Sequence, residues 1–252
     1  MVRAQDLVVE SFLVGPLQMR CSVVCDRATG DTVVIDAGDE PERLIAWIDH
    51  ADGTGPNWSS TESEHKAGDR QVVALLNTHA HFDHSGHVPT VRAHWGVDWW
   101  LHPDDAFLQS LAAEAAARWG FPPLPEPAIA DHDLEHGQVL DVGSLRFDVI
   151  HTPGHTLGGV CLRLRVDGGA DHLFAGDTLF AGSVGRTDLP HSGGDFDLLA
   201  RSIHAGLWPL PEDTVVHPGH GPLTTIGHEK RTNPFVGEGA GEHGTFGRGR
   251  YA

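Results

Sequence analysis

The sequence predicts an α/β (α+β) fold built from two similar halves. Strands precede helices in the first part of the chain, and strands precede helices again from about residue 138 onward. Because a sheet with one apolar face must bury that face against another layer, two such halves can pack sheet against sheet. A four-layer αββα sandwich of two mixed β-sheets with helices on the outer faces is therefore one expected architecture, among several that the pattern allows.

The first half contains apolar runs bounded by turn residues, which are typical of strands. The run VVALLNT is continuously apolar, as in a strand buried on both faces. The predicted elements are strands over 7–14, 20–26 and 32–37, a helix starting at 39–42, a strand over 72–78, a helix over 85–95 and a strand over 97–102.

A helix is predicted to begin at Pro103 and to end at Gly120, since proline favours the first helical position and glycine the position after the last turn. Its apolar residues recur at helical spacing. We expect this stripe to face the core and not to form a binding surface; it consists of Phe107, Leu108, Leu111, Ala115 and Trp119.

The second half repeats the pattern of short strands followed by helices. The predicted elements are strands over 138–141, 144–151, 159–166, 171–176 and 214–218, with helices over 195–206 and 226–232. We predict one domain over 1–236, interrupted by a polar, exposed insertion over 52–70 and followed by a glycine-rich, disordered tail over 237–252.

Composition argues against several classes of partner. Lys and Arg together number 17 against 35 Asp and Glu, a net charge of −18, which disfavours binding to nucleic acid or to an anionic membrane. No run is long and apolar enough for a membrane span, and the first residues do not resemble a signal peptide, so we expect a cytoplasmic protein. The three cysteines form no CxxC pair and are expected to be buried free thiols.

Histidine is unusually abundant, with 19 residues, and four metal-ligand groups fall within six positions directly after the strand over 72–78. These are His79, His81, Asp83 and His84. In an extended chain His79 and His81 point the same way, so both imidazoles can reach one cation. The alternative is that these histidines are solvent-exposed or hydrogen-bonded within the core. That is usual for a single histidine and less usual for a cluster.

Three further ligand-type residues follow predicted strands, in loops where functional groups are commonly held. His155 lies in HTPGHTLGG, Asp177 in LFAGDTLF and His220 in VHPGHG. His217 lies three residues before His220 and is the competing candidate in that motif.

These motifs, HxHxDH followed by GHT, AGDTLF and PGHG, resemble those of the metallo-β-lactamase fold superfamily. Within it, VGRTDLP at 184–190 and HPGHGPLTTIGHEKRTNPF at 217–235 resemble the short bacterial type II glyoxalase-like hydrolases, which are hydroxyacylglutathione hydrolase-like. The resemblance extends from about residue 7 to 236, without the 52–70 insertion. It implies the αββα sandwich, with metals at one edge between the two sheets.

The resemblance implies that His79, His81 and His155 bind a first metal, that Asp83, His84 and His220 bind a second, and that Asp177 bridges them. Imidazole and carboxylate ligands suit two divalent metal ions. Zinc is the first candidate, and iron and manganese are the alternatives. The second histidine of HPGH is the family's ligand, so His217, His151, His87 and His191 are interpreted as structural or as hydrogen-bond partners of the ligands.

The resemblance implies hydrolysis of a thioester of the S-D-lactoylglutathione type to a hydroxy acid and a free thiol. Two cations would lower the pKa of a shared water, so that a metal-bound hydroxide attacks the acyl carbon, with Asp83 and Asp177 as the catalytic carboxylates. The partner is therefore a small-molecule acyl thiol. Arg186 is the first candidate for binding an anionic thiol, with Lys230 and Arg231 behind it; an ion pair of Arg186 with Asp188 or Asp195 is the structural alternative.

Other functions remain open at this stage. The nearest is a mononuclear-iron persulfide dioxygenase using His79, His81, His155 and Asp177. Lactonase and β-lactamase activities use the same hydrolytic chemistry. The net charge of −18 disfavours an RNA nuclease. A metal protein without catalysis would not leave coordination positions open on its metal. The longer glyoxalases have tyrosines where this chain has Asp188 and Gly221, so another low-molecular-weight thiol is an alternative to glutathione.

Overall fold

The structure, a computed structural model, describes residues 1–49 and 70–240. The first half of the fold contains seven strands and four helices, with a short 3-10 helix, Pro103–Asp105, directly before the fourth helix. In chain order these elements are β1 (Val2–Arg3), β2 (Leu7–Val14), β3 (Met19–Asp26), β4 (Asp31–Ile35), α1 (Pro41–Asp49), β5 (Gln71–Leu76), α2 (Phe82–Ser85), α3 (Val88–Trp95), β6 (Trp99–Leu101), α4 (Ala106–Arg118) and β7 (His132–Asp133).

The second half of the described chain contains nine strands and two helices. In chain order these are β8 (Val139–Val142), β9 (Leu145–His151), β10 (Val160–Leu164), β11 (Val166–Asp167), β12 (His172–Gly176), β13 (Leu179–Phe180), β14 (Ser183–Val184), α5 (Phe196–Gly206), β15 (Val215–Pro218), β16 (Thr224–Thr225) and α6 (Ile226–Thr232).

Two six-stranded mixed sheets form the centre of the fold. The first has the order β2-β3-β4-β5-β6-β7 and is antiparallel up to β4 and parallel from β4 to β7. The second has the order β16-β15-β12-β10-β9-β8, in which only the β12–β15 pair is parallel. A parallel pair, β1 with β11, links the start of the chain to the second half.

Alternation along the strands places one face of each sheet between the sheets and the other under helices. On β4, Val33 and Ile35 pack against Phe147 of the second sheet, whereas Val34 faces Leu44 of α1. A third apolar cluster lies between the second sheet and α5 and α6. These layers are helix, sheet, sheet and helix, so the predicted αββα sandwich is confirmed.

Several predicted elements are divided or shifted by the structure. The helix predicted over 85–95 is two helices, α2 and α3, which are separated at Gly86 and His87. The helix predicted from Pro103 begins as the 3-10 turn and becomes α-helical at Ala106. The short strands β7, β13, β14 and β16 were not predicted, because two residues carry too little periodic signal. None of the described helices has the length and apolar character needed to cross a membrane.

The predicted insertion and tail fall largely outside the described residues. Arg70, the last residue of the predicted insertion, is described, and its side chain is only 8% exposed because it pairs with Glu10 at 2.8 Å and stacks on Trp47. At the other end, Gly237 and Glu238 of the predicted tail donate hydrogen bonds to the carbonyls of Asn233 and Lys230, and Ala240, which donates to the carbonyl of Gly237, is buried. The packed chain thus continues four residues beyond the predicted end of the domain at 236.

The three cysteines are free and buried, as the sequence predicted. Burial raises the pKa of Cys161 to about 11 and that of Cys21 well above its usual range. Both thiols are thus uncharged at neutral pH and act as small apolar groups in the core.

We expect the native protein to resist dithionitrobenzoate at about pH 8, because a thiol with a pKa near 11 is only about 0.1% ionised there and is also shielded by burial. The measurement is release of the coloured thiolate with and without denaturing urea. All three cysteines should react in urea. Rapid reaction of one thiol in the native protein would contradict the buried assignment.

Candidate metal centre

The ends of four strands bring the predicted ligand residues to one edge of the sandwich. Asn77 to His84 follow β5, Asp177 follows β12 and His220 follows β15, while His155 lies in the loop that connects β9 and β10. Because β12 and β15 are parallel, with Gly176 opposite Pro218, Asp177 and His220 leave the second sheet at the same edge. Val160 donates a hydrogen bond to the carbonyl of Thr78 at 2.8 Å, which joins the edges of the two sheets.

The seven predicted ligand residues lie together in three overlapping groups. In each group the ligand atoms are within 4.8 Å of one another. The groups are His79, His81 and His155; His79, His84 and Asp177; and Asp83, His84 and His220. This is the grouping expected for two neighbouring cation positions with shared residues between them.

Asp177 lies between the two outer groups. Its Oδ2 is 3.5 Å from Nε2 of His155 on one side and 3.7 Å from Nε2 of His220 on the other. Its Oδ1 is 3.4 Å from Nε2 of His84. A carboxylate in this position can contact both cation positions, which agrees with the bridging role that the resemblance implied.

Hydrogen bonds behind the histidines direct the remaining ring nitrogens toward the centre. His84 donates from Nδ1 to Asp36 at 3.0 Å, and His155 donates from Nδ1 to the carbonyl of Arg186 at 2.6 Å. The Nδ1 of His79 is 3.1 Å from Oγ1 of Thr78. These contacts leave the Nε2 lone pairs of the three rings directed into the cluster.

The donor set fits divalent metal ions. Nε2 of His79, Nε2 of His84 and Oδ1 of Asp177 are buried and have no hydrogen-bond partner in the described part of the chain. Buried polar atoms without a partner are costly unless something else satisfies them. Three such atoms converging on one centre, with imidazole and carboxylate chemistry, indicate a site for zinc, iron or manganese.

Two histidines of the first group, His79 and His81, are held neutral. Burial, together with neighbouring His155, lowers the pKa of His81 to about 3. Burial together with the surrounding imidazoles also lowers the pKa of His79 well below its usual value. Neutral imidazole is the form that binds a metal, so protons compete weakly for this group.

The second group has the opposite electrostatic character. Burial lowers the pKa of His84, but the Asp177 and Asp83 carboxylates outweigh it and raise the pKa well above its usual value. In His220 the same two carboxylates overcome burial and raise the pKa as well. Burial raises the pKa of Asp177, yet His220, His84 and His155 together bring it well below its usual range. This half of the centre therefore attracts positive charge.

Sequence reasoning missed two buried carboxylates behind the ligands. Asp36 follows β4 and accepts hydrogen bonds from the Thr78 backbone amide at 2.8 Å, Thr78 Oγ1 at 2.7 Å and His84 Nδ1 at 3.0 Å. The sequence contained a signal for Asp36, because it is a charged residue directly after the apolar strand in TVVIDAG.

Sequence reasoning also missed Ser192, whose hydroxyl lies 2.8 Å from Nε2 of His81.

Asp105 is the other missed carboxylate. It is fully buried and accepts hydrogen bonds from the backbone amides of Ala80 and Gly158, at 3.1 and 2.6 Å, and from Oγ1 of Thr156 at 2.9 Å. Ala80 lies between two predicted ligands and Thr156 follows a third, so one carboxylate joins two ligand loops. Asp105 lies in the first turn of the helix predicted from Pro103, where acidic residues are common, so its sequence position did not mark it as a support for the ligands.

Close backbone approach requires glycine at one position beside the cluster. A Cβ on Gly219 would lie 2.2 Å from Oδ1 of Asp177 and 2.7 Å from Cε1 of His84. Neither group can move away without changing the ligand arrangement. The glycine of PGHG thus allows β15 to deliver His220 against the other ligands.

A cavity of about 780 Å³ opens directly onto the cluster. The predicted ligands that line it are His81, Asp83, His155, Asp177 and His220. Its wall also includes Leu108, Leu111, Ala112, Ala115 and Trp119 from α4 and the residue after it. The prediction that the α4 stripe is core and not a binding face was therefore wrong: Leu108 is buried, but Leu111 and Trp119 are 38% and 57% exposed.

Of the three cationic candidates, only Arg186 lines the cavity. Its guanidinium donates two hydrogen bonds to Asp188, at 2.9 and 3.2 Å, which is the ion pair that the sequence left as the alternative. The structure does not bring Lys230 and Arg231 to the cavity. Both lie on α6, where Lys230 contacts the carbonyl of Trp208 and Arg231 pairs with Glu212, because α6 packs against the segment before β15.

The structure separates His217 from the candidate site. Its Nε2 lies 2.8 Å from Nδ1 of His172, and its ring stacks on Phe174. His151 stacks on His102 instead of contacting a ligand. His191 lines the cavity without belonging to any of the ligand groups.

Comparison with known proteins places these features in a family. Residues 14–220 match the family model of the metallo-beta-lactamase superfamily. The hydroxyacylglutathione hydrolase GloC of Haemophilus influenzae is 35% identical over 234 residues, which cover 90% of this chain and 97% of that protein.

Two solved structures are similar over nearly their whole length. The BLEG-1 B3 metallo-beta-lactamase has a TM-score of 0.77 and 36% identity, covering 91% of this chain and 99% of that one. TTHA1623 in a di-iron-bound form has a TM-score of 0.72 and 40% identity, covering 89% and 98%.

We expect Asp105→Asn to destabilise the fold by about 1–3 kcal/mol, because an amide NH₂ would replace one acceptor oxygen and face a buried donor. The measurement is the free energy of unfolding in urea. Asp104→Asn is the control, since Asp104 is a neighbouring exposed residue and should change stability by less than about 0.5 kcal/mol. Equal stability of the Asp105 variant and the wild type would contradict the role given to this carboxylate.

Proposed function

The chain belongs to the metallo-beta-lactamase superfamily, and from this premise we propose that it is a metal-dependent hydrolase of small acyl thioesters. The proposal assigns His79, His81 and His155 to one metal, Asp83, His84 and His220 to a second, and Asp177 to both. The presence of two iron ions in the similar TTHA1623 structure supports two positions. The candidate ions are zinc, iron and manganese.

The observation that carries the proposal is the direct opening of the cavity onto the ligand cluster. Five of the seven assigned ligands form part of its wall. A structural metal site is normally closed by protein ligands, whereas a catalytic site keeps a position for water or substrate. An accessible cavity of about 780 Å³ is large enough for a small substrate beside the cluster.

Two bound divalent ions would supply a lowered pKa for water and polarisation of the thioester carbonyl. Asp83 and Asp177 line the cavity as two of the assigned ligands and, in this proposal, orient the attacking water, and one of them receives its proton. Asp36 and Asp105 hold the loops that carry these groups. The apolar wall on α4 limits access of bulk water to the reacting carbonyl.

A thioester suits a site with this composition. A thiol has a much lower pKa than an alcohol or an amine. A thiolate therefore leaves the acyl carbon without strong acid catalysis. The GloC relative is named for hydrolysis of a hydroxyacylglutathione, which supports a hydroxyacyl thioester as the first substrate to assay. The thiol carrier is glutathione or another low-molecular-weight thiol.

The proposal is tested by elemental analysis of the purified protein together with thiol release from S-D-lactoylglutathione. We expect about two metal atoms per chain and metal-dependent thiol release. Asp177→Asn should lose bound metal and reduce kcat/KM by at least about 100-fold, because the shared carboxylate would be removed. Asp141→Asn, an exposed variant on β8, should retain both properties.

One competing function gives a different result in the same preparation. A single iron per chain, oxygen uptake on glutathione persulfide and no thiol release from thioesters would replace the proposal with a persulfide dioxygenase. If Asp177→Asn retains its metal and full turnover, the assignment of Asp177 as the shared metal ligand is wrong.

Arg186 and Asp188 allow a matched test of how the site treats charged carriers. Arg186→Ala should raise KM for an anionic glutathione thioester by about threefold, because exposed charges interact by roughly 0.2–1 kcal/mol. Asp188→Asn removes the anion that pairs with Arg186 and should lower the same KM. Neutral thioesters should change little in either variant, and parallel changes for neutral and anionic substrates would assign the pair to structure alone.

A further inference from the structure

We propose that the acyl group of the substrate is large and apolar and lies along α4. This inference rests on the proposed thioester hydrolysis, and it specifies a substrate class that a small hydroxyacyl group such as lactoyl does not represent. The observations that support it are the apolar surface of α4, its continuity with the ligand cluster and the charge balance of the cavity wall.

The apolar residues of α4 form a wall of the cavity and are partly uncovered. Leu111 and Trp119 are 38% and 57% exposed, although both are large and apolar. The smaller residues Ala112 and Ala115 line the same cavity. An uncovered apolar surface of this kind indicates a binding site when polar functional groups adjoin it.

This wall and the ligand cluster belong to the same cavity. Phe82 of α2 packs against Ala112 and Ala116 of α4, and the next residue along the chain is the assigned ligand Asp83. A substrate whose carbonyl reaches the cluster can therefore extend along α4 without leaving the cavity. The apolar surface is adjacent to the reacting carbon and is not a separate patch.

The charges along the cavity wall do not favour an anionic group against α4. Among the described lining residues the cationic side chains are Arg118 and Arg186, and each pairs with a carboxylate, Glu114 and Asp188 respectively. Common cellular thiols are polar or charged, so the apolar surface suits the acyl arm and not the carrier. Water would add to the acyl carbon, the carbon–sulfur bond would break, and the products would be an apolar carboxylic acid and the protonated thiol.

The test compares acetyl, D-lactoyl, hexanoyl and octanoyl thioesters of N-acetylcysteamine, a small neutral thiol, with the metal-loaded full-length enzyme. We expect kcat/KM to be at least about tenfold higher for octanoyl than for acetyl or lactoyl, because each buried methylene adds to binding. The thiol is the same throughout the series. Acetyl, hexanoyl and octanoyl differ only in chain length, and D-lactoyl also carries a hydroxyl group.

Leu111 and Phe107 provide a matched pair of variants. Both are leucine-sized or larger apolar residues on α4, with 38% and 37% exposure, but only Leu111 lines the cavity. Leu111→Asp should lower kcat/KM for octanoyl by about tenfold more than for acetyl, because only the long chain reaches the new charge. Phe107→Asp should leave both substrates within about twofold of the wild type.

A second measurement separates failure of this inference from failure of the proposed function. Calorimetric titration with S-octyl-N-acetylcysteamine, a thioether that cannot be hydrolysed, should show binding that Leu111→Asp weakens and Phe107→Asp does not. If thioesters are cleaved but the rates are independent of chain length, or Leu111→Asp affects acetyl and octanoyl equally, the apolar acyl inference is wrong and the hydrolase proposal stands. If no thioester is cleaved while the thioether binds in this Leu111-dependent way, the hydrolase proposal fails and the apolar binding surface stands.

Discussion

The candidate site depends on a buried carboxylate, Asp36, that lies behind the ligands. It accepts two hydrogen bonds from Thr78 and one from His84, and so it joins the end of β4 to the loop after β5. It adopts a positive φ of 58°, which costs a non-glycine residue about 1 kcal/mol or more and is maintained by this network. The same three contacts fix the ring of His84 and, through Thr78, influence that of His79. The direction of two metal-binding lone pairs thus follows from one residue that does not itself face the centre.

The two halves of the centre differ in charge, and the difference arises from the residue types that each loop contributes. Three imidazoles form one half, where burial and mutual repulsion disfavour protonation of His79 and His81. Two carboxylates accompany the imidazoles of the other half and favour a positive charge there. Asp177 belongs to both, since its oxygens contact histidines on each side. A cation in the second half would therefore offset the negative charge that the two carboxylates concentrate there.

Residues of α4 form part of the cavity wall beside the sheet edge that carries the ligand residues, and they give the cavity its apolar character. Ala116 is fully buried and clusters with Phe82 of α2, while Leu111 and Trp119 remain partly exposed. Some apolar residues of this segment attach it to the fold next to the ligand loop, and others form the wall of the cavity that opens onto the polar centre. In the proposed reaction, one continuous space would hold an apolar group and the reacting carbonyl.

The amino-acid sequence determined where most strands and helices lie and which ligand-type residues follow the strands. Its pattern allowed several layer orders, and the resemblance to a known family favoured the sandwich. Apolar alternation specifies which faces are buried, and ligand-type residues directly after strands come together because strand ends share an edge. Only the tertiary structure decided that the α4 stripe faces a cavity, that Lys230 and Arg231 point away from it, and that Asp36 and Asp105 support the ligands. Periodicity shows which residues share one face of a helix, but what that face meets depends on elements distant in the chain. The partners of a buried carboxylate likewise come from separate loops, 25 to 53 positions away for Asp105, and no local pattern specifies such contacts.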